Sequence, residues 1–205
     1  MRTRVKICGI TRVADALAAC NAGADAIGLN FWSRSKRFVE IARASAIARA
    51  LPSGVLKIGV FVDAPRHEIE RAIDALGLDA IQLHGHETPQ ACCGFTVQVI
   101  KAISMRPGSE PAALLAERYA TDFILLDAEA GERRGGSGRS FDWRQAVGVA
   151  PGRLFLAGGL RPDNVADAVR VVAPYAVDVA SGVESAPGSK DAALVREFIH
   201  NAKHA

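Results

Sequence analysis

The sequence predicts a (β/α)8 (TIM) barrel of eight parallel strands, on three observations. Short runs rich in Val, Ile and Leu alternate with segments whose apolar residues recur at i, i+3, i+4 and i+7. The eight short runs are nearly continuous in apolar character, as strands covered on both faces are. No Pro- or Ser-rich linker divides the 205 residues, so residues 1–205 are expected to form one domain, at the small end for this fold. The competing arrangement, an open doubly wound sheet, carries a glycine-rich turn after its first strand when it binds dinucleotides. "CGITR" lacks that turn.

"RVKIC" is the first strand, ended by Gly9, and Val13, Ala16, Leu17 and Cys20 mark the apolar face of the first helix. "AIGLN" follows, then a basic and aromatic loop, then a helix with Ala44, Ile47, Ala48 and Leu51. "KIGVFV" precedes a helix with Ile69, Ala72, Ile73 and Leu76, and Pro65 sits near its start, where a missing N–H does no harm. "DAIQLH" is the fourth strand, and the segment after it, Thr88 to Gly94, is short for a helix. "VQVIKAI" leads to Ala112, Leu115, Ala116 and Tyr119, and "FILLD" to a glycine-rich stretch and a short helix after Phe141. "LFLAG" precedes a helix begun near Pro162 with Val165, Ala168, Val169 and Val172. "AVDVAS" precedes the closing helix, marked by Val195, Phe198, Ile199 and Ala202.

Composition narrows the class. The net charge of +3 is slight and the Lys and Arg residues are spread out, which argues against a nucleic-acid partner. Cys8, Cys20, Cys92 and Cys93 form no C-x-x-C pair for metal or redox work. No apolar stretch approaches membrane-spanning or signal-peptide length, so the expectation is a cytoplasmic protein with reduced thiols and no membrane partner.

In a barrel, function gathers at the C-terminal ends of the strands. Those positions here are Cys8, Asn30, Asp63, His84, Lys101, Asp127, Gly158, Gly159, Ser181 and Gly182, a polar and reactive set. Free cysteine is most often a small buried hydrophobe. A thiol between a strand end and a helix N-terminus, however, feels a partial positive charge that favours thiolate. Cys20, on the apolar helix face, reads as core.

Asp127 follows a buried run and opens a stretch with Arg133, Arg134 and Arg139, like a lid over an anionic substrate. Either a turn former or a general acid suits that junction, and desolvation and the arginines act on its ionisation in opposite directions. Gly158 and Gly159 before one helix, and Ser181 and Gly182 after the last strand, suit close backbone approach to a phosphate. His84 and His86 have the H-x-H spacing of metal ligands, but Gly85 interrupts the strand between them. No metal is expected, and His84 with Gln82 is expected to line the barrel mouth. In "NFWSRSKRFV", an Arg on this face could pair bidentately with a substrate carboxylate.

With these residues assembled, the chain resembles the phosphoribosylanthranilate isomerases of tryptophan biosynthesis nearly end to end. The resemblance rests on "VKICGIT", "GADAIGLNFWSRSKRFV", "IGVFVD", "DAIQLHGHE", "LLDA" with "GGSGRSFDW", "LAGGLRPDNV" and "VDVASGVESAPGSKD", in order. It implies a cofactor-free Amadori rearrangement of a phosphorylated small molecule, with Cys8 as general base and Asp127 as general acid. By the same resemblance Arg37 holds the anthranilate carboxylate, and Gly158, Gly159, Ser181 and Gly182 hold the phosphate. Asp178 matches a family position and is expected to support the site from behind. Ala157 and Ala180 stand where serine is common in the family.

Three other readings weigh less. Indole-glycerol-phosphate synthase depends on catalytic lysines and an extended N-terminal segment, whereas this chain begins at strand one. A metal-dependent epimerase needs more histidine and carboxylate ligands at strand ends. A non-catalytic phosphate-binding barrel keeps the glycine loops and has no need of Cys8 or Asp127. The apolar helix faces suit a monomer and a homodimer equally.

Overall fold

The eight apolar runs close on themselves. The computed structural model describes residues 2–105, 110–128 and 142–205. Strand β1 (Arg4–Cys8) pairs in parallel with β2 (Ala26–Asn30) on one side and with β8 (Ala176–Val179) on the other. Between β2 and β8 run β3 (Leu56–Phe61), β4 (Ala80–Leu83), β5 (Gln98–Met105), β6 (Phe123–Ala128) and β7 (Leu154–Leu156). Each pairs in parallel with its neighbour in chain order, giving a closed barrel.

Alternation along each strand sorts side chains into two layers. The lower barrel interior is filled by Ala26, Ile58, Ala80, Ile100, Leu125, Phe155 and Ala176, with Phe123 and Tyr175 packed against them. The outward-facing set, with Val5, Ile7, Ile27, Leu29, Ile81, Leu83, Ile124 and Leu126, forms the larger core under the helices.

The helices are α1 (Val13–Asn21), α2 (Ile41–Ala50), α3 (Arg66–Leu76), α4 (Ala112–Glu117), α5 (Val165–Val172) and α6 (Ala192–Lys203). In α3, α5 and α6 the residues buried are the predicted ones. In α1 the buried face is rotated: Asp15, Ala16 and Ala19 turn inward and Leu17 is exposed. The cause is polar. Asp15 accepts two hydrogen bonds from Arg12, at 3.0 and 2.8 Å, and one from the Lys190 N–H at 3.1 Å. Cys20 packs partly buried against the core, as expected.

The two short helices expected after β4 and β6 are single 3-10 turns, Gln90–Cys92 and Trp143–Ala146. Pro89 and Gly94 confine the first to a length that cannot complete a stable α-helix. After β8 come a 3-10 turn, Ser181–Val183, and a two-stranded antiparallel ribbon of β9 (Glu184–Ala186) and β10 (Ser189–Lys190), which the sequence patterns do not announce. Among the described residues no helix is long and apolar enough to cross a membrane.

Candidate active site

The two interior faces of β1 and β4 build the centre of the barrel mouth. Period-two alternation puts Lys6 and Cys8 of β1 on the same face, and Gln82 and His84 on one side of β4 and its end. Lys6 is fully buried, with its ammonium 2.7 Å from Gln82 Oε1 and 3.0 Å from Asp178 Oδ1. A buried ammonium is tolerated only when paired, and Asp178 is that partner. Burial alone would lower the Lys6 pKa, but Asp178 and Cys8 together hold it above its ordinary value.

Above this pair opens a cleft lined by Cys8, Gly9, Asn30, Arg37, Gln82, His84, Asp127, Gly158, Gly159, Asp178, Ser181 and Gly182 among others. The residues assigned catalytic, carboxylate-binding, phosphate-binding or lining roles from the sequence meet in one cavity. Of the other strand-end positions, Asp63 and Lys101 do not line it. Asp63 turns to the loop after β4 and accepts a hydrogen bond from the His86 N–H at 2.5 Å. Lys101 is a correction: β5 runs on to Met105, so Lys101 is mid-strand. Its neighbours Ile100 and Ala102 face the interior, which turns Lys101 outward, where its ammonium pairs with Glu87 at 2.6 Å.

Cys8 lies near the cleft floor. Burial pushes its thiol pKa up, and Lys6 and Lys190 oppose that push while Asp178 adds to it. The helix N-terminus expected to favour thiolate begins only at Val13, so the cation beside Cys8 is Lys6. Gly28 of β2 stands level with Cys8, and a Cβ there would fall 2.8 Å from Cys8 Sγ and 3.1 Å from Lys6 Cε. Gly28→Ala is therefore expected to displace the thiol; with Cys8 in the reacting role proposed below, kcat/KM falls on the order of 10²-fold, the usual cost of misplacing a reacting group by about 1 Å. Steady-state kinetics check this, with a melting curve to show that the variant folds.

Asp127 is buried at the end of β6, and its Oδ2 lies 3.4 Å from His84 Nε2. Between Asp127 and Cys8 around the rim stand the ends of β7 and β8, which carry the two glycine loops. Gly158 and Gly159 both have positive φ, 85° and 70°, a backbone shape that few residues other than glycine adopt. The amide of Asn164 braces this turn, donating to Gly159 O at 3.0 Å and accepting from the Arg161 N–H at 2.7 Å. The helix expected to start near Pro162 begins at Val165.

Arg37, after β2, reaches across to Glu184 with a bidentate pair of 2.8 and 2.7 Å. Burial alone would raise the Glu184 carboxyl, but Arg37 and Lys190 hold it below the ordinary range. The two-nitrogen edge that the sequence offered to a substrate carboxylate is therefore taken by the protein, leaving the second terminal nitrogen of Arg37 outside the fork. The arginines expected to form a lid, Arg133, Arg134 and Arg139, lie outside the described residues.

Lys6, Glu184 and Lys190 are the site residues that sequence reasoning missed. For Lys6 the signal was present: a lysine alternating with a cysteine inside an apolar strand. Glu184 and Lys190 carried none.

The chain is similar to known proteins over almost its whole length. The chain is 49% identical to the N-(5'-phosphoribosyl)anthranilate isomerase of Pelobacter propionicus, over 98% of this chain and 95% of that protein. Its fold matches the crystal structure of phosphoribosyl anthranilate isomerase from Thermotoga maritima with a TM-score of 0.89 at 40% identity, covering 99% of this chain and 100% of that one. A second crystal structure, with a TM-score of 0.84 at 39% identity and the same coverage, is a phosphoribosyl anthranilate isomerase in complex with reduced 1-(o-carboxyphenylamino)-1-deoxyribulose 5-phosphate. The sequence profile of the N-(5'phosphoribosyl)anthranilate (PRA) isomerase family matches residues 5–201, and the chain belongs to that family.

Proposed function

We propose that the protein isomerises N-(5-phosphoribosyl)anthranilate to 1-(2-carboxyphenylamino)-1-deoxyribulose 5-phosphate, with Asp127 as general acid and Cys8 as general base. One observation carries the reading: a single cleft holds both groups, with the two glycine loops between them on the rim and Arg37 beyond Cys8. A phosphate bound by Gly158, Gly159, Ser181 and Gly182 anchors one end of the substrate, and the free nitrogen of Arg37 meets the anthranilate carboxylate at the other.

The proton on Asp127 goes to the ribose ring oxygen as its bond to C1 breaks, and the anthranilate nitrogen supplies the electron pair that forms a C1=N iminium. Cys8, as thiolate, then takes the proton from C2. The C–H electrons form a C1=C2 bond and the iminium π electrons return to nitrogen, giving an enolamine. Tautomerisation closes the sequence: C1 gains a proton, the C2 hydroxyl loses one, and the ketone remains.

The electrostatics of the floor suit this order. Lys6 is already paired with Asp178, so a thiolate at Cys8 adds a negative charge that Lys6 and Lys190 offset only in part. The positive iminium supplies the missing compensation beside Cys8 as the C2 proton becomes acidic. Stabilisation that grows along the reaction path in this way is what accelerates a chemical step.

The test is to generate the labile substrate in situ and follow its fluorescence. Loss of fluorescence on adding the protein, at a rate proportional to protein concentration, is expected. Tight binding of the phosphorylated product with no turnover would instead mark a binding barrel and end the catalytic assignment.

A further inference from the structure

Two hydrogen bonds lead from the floor of the site to His84, beside the carboxyl at its rim, and their donor and acceptor roles are fixed by chemistry. An ammonium can only donate. Lys6 Nζ lies 2.7 Å from Gln82 Oε1, so the amide oxygen is turned toward Lys6 and the amide nitrogen toward His84. Gln82 Nε2 lies 2.8 Å from His84 Nδ1. An amide nitrogen also only donates, so Nδ1 must accept, and the ring proton of the neutral imidazole sits on Nε2. That nitrogen lies 3.4 Å from Asp127 Oδ2.

We propose that Gln82, anchored by Lys6, is a positioning residue that holds His84 in the Nε2–H tautomer and aims this N–H at Oδ2 of Asp127. The inference rests on the reading of Asp127 as the acid. With Oδ2 facing a donor, the proton that Asp127 delivers is carried by Oδ1. The opposite tautomer would present a lone pair to the carboxyl, and Asp127 would then give its proton to the ring as a hydrogen-bond donor instead of to the substrate. The 3.4 Å separation is long for a hydrogen bond, and contacts of this kind commonly tighten once substrate fills a site. A flip of the Gln82 amide would point N–H groups at the Lys6 ammonium, so the two-step relay has one consistent arrangement.

Nitrogen NMR of the imidazole side chains tests this without reference to turnover. His84→Asn identifies the His84 signals by their loss. In the wild-type protein at neutral pH, Nδ1 is expected to be unprotonated and Nε2 protonated. In Gln82→Glu, a second acceptor replaces the donor, and Nδ1 is expected to become protonated. Gln82→Met removes the lock while keeping the length of the side chain. Its kcat is expected to fall about tenfold, the worth of one hydrogen bond to a charged group, with KM unchanged. With the signals assigned through His84→Asn, a protonated His84 Nδ1 in the wild-type protein overturns the proposal, and so does an unaltered kcat in a folded Gln82→Met. Absence of turnover by the wild-type protein would count against the function proposed above, and the NMR result would still decide the tautomer.

Discussion

Cys8→Ser and Asp127→Asn are each expected to lower kcat by roughly 10²–10⁴-fold, the usual contribution of one general base or acid. Both replacements are close to isosteric and both sites are buried at the cleft, so the barrel and the product-binding surface stay intact. Serine cannot serve in place of the thiol. Its hydroxyl ionises far less readily than a thiol, and burial here disfavours the charged form of any group at position 8. Asparagine keeps the shape of Asp127 and can still face His84, but it carries no proton to give to the ring oxygen. The two losses should differ in what they leave behind. Cys8→Ser still permits ring opening, so deuterium from solvent or at C2 reports a block at proton abstraction. Asp127→Asn blocks earlier. Near-wild-type turnover in either folded variant removes the corresponding base or acid, and titration with the reduced product analogue checks that binding has survived.

The barrel and the strand-end groups that line the cleft were legible in the sequence because both depend on local pattern. Parallel strands covered on two faces read as continuous apolar runs, and a polar residue ending such a run stands out, as Cys8 after "VKI" and Asp127 after "FILL" do. What failed to show depends on pairing across the fold. Arg37 and Glu184 are 147 positions apart, and nothing in either segment says that one will occupy the fork of the other. Leu17 was misjudged because an apolar residue on a helix counts toward the core by period alone. The rotation of α1 is set by Asp15 bonding to Arg12 and to the distant backbone of Lys190. Lys101 was misjudged because "ISM" continues β5 beyond the point where the charge suggested an end. Lys6 is the instructive case. Alternation already put it on the face of Cys8, but a lysine in a strand reads as an exposed edge until closure of the barrel buries it.

Lys6→Met should produce the largest combined effect on stability and chemistry. Methionine fills much of the lysine volume, but Asp178, 8% exposed, loses its cation and becomes a buried charge without a partner. Breaking a buried pair in this way costs about 3–5 kcal/mol. Adding Asp178→Leu to make Lys6→Met/Asp178→Leu removes the orphaned charge and is expected to restore most of that stability, which chemical denaturation measures. Activity should not follow. Lys6 lowers the Cys8 pKa and Asp178 raises it, so Lys6→Met moves that pKa further up on both counts: a favourable cation is lost and the anion is left unopposed. With Cys8 as the proposed base, needed as thiolate, kcat/KM is expected to rise with pH through the Cys8 pKa, and the rising limb should shift to higher pH in the single variant. In the double variant the limb should come partway back and stop above the wild-type position, since Lys6 is the stronger of the two influences on Cys8. A rising limb that stays in place in folded Lys6→Met would detach Lys6 from the base. Recovery of stability without recovery of rate would separate its two roles, as counter-ion to Asp178 and as the cation that makes a buried thiol usable.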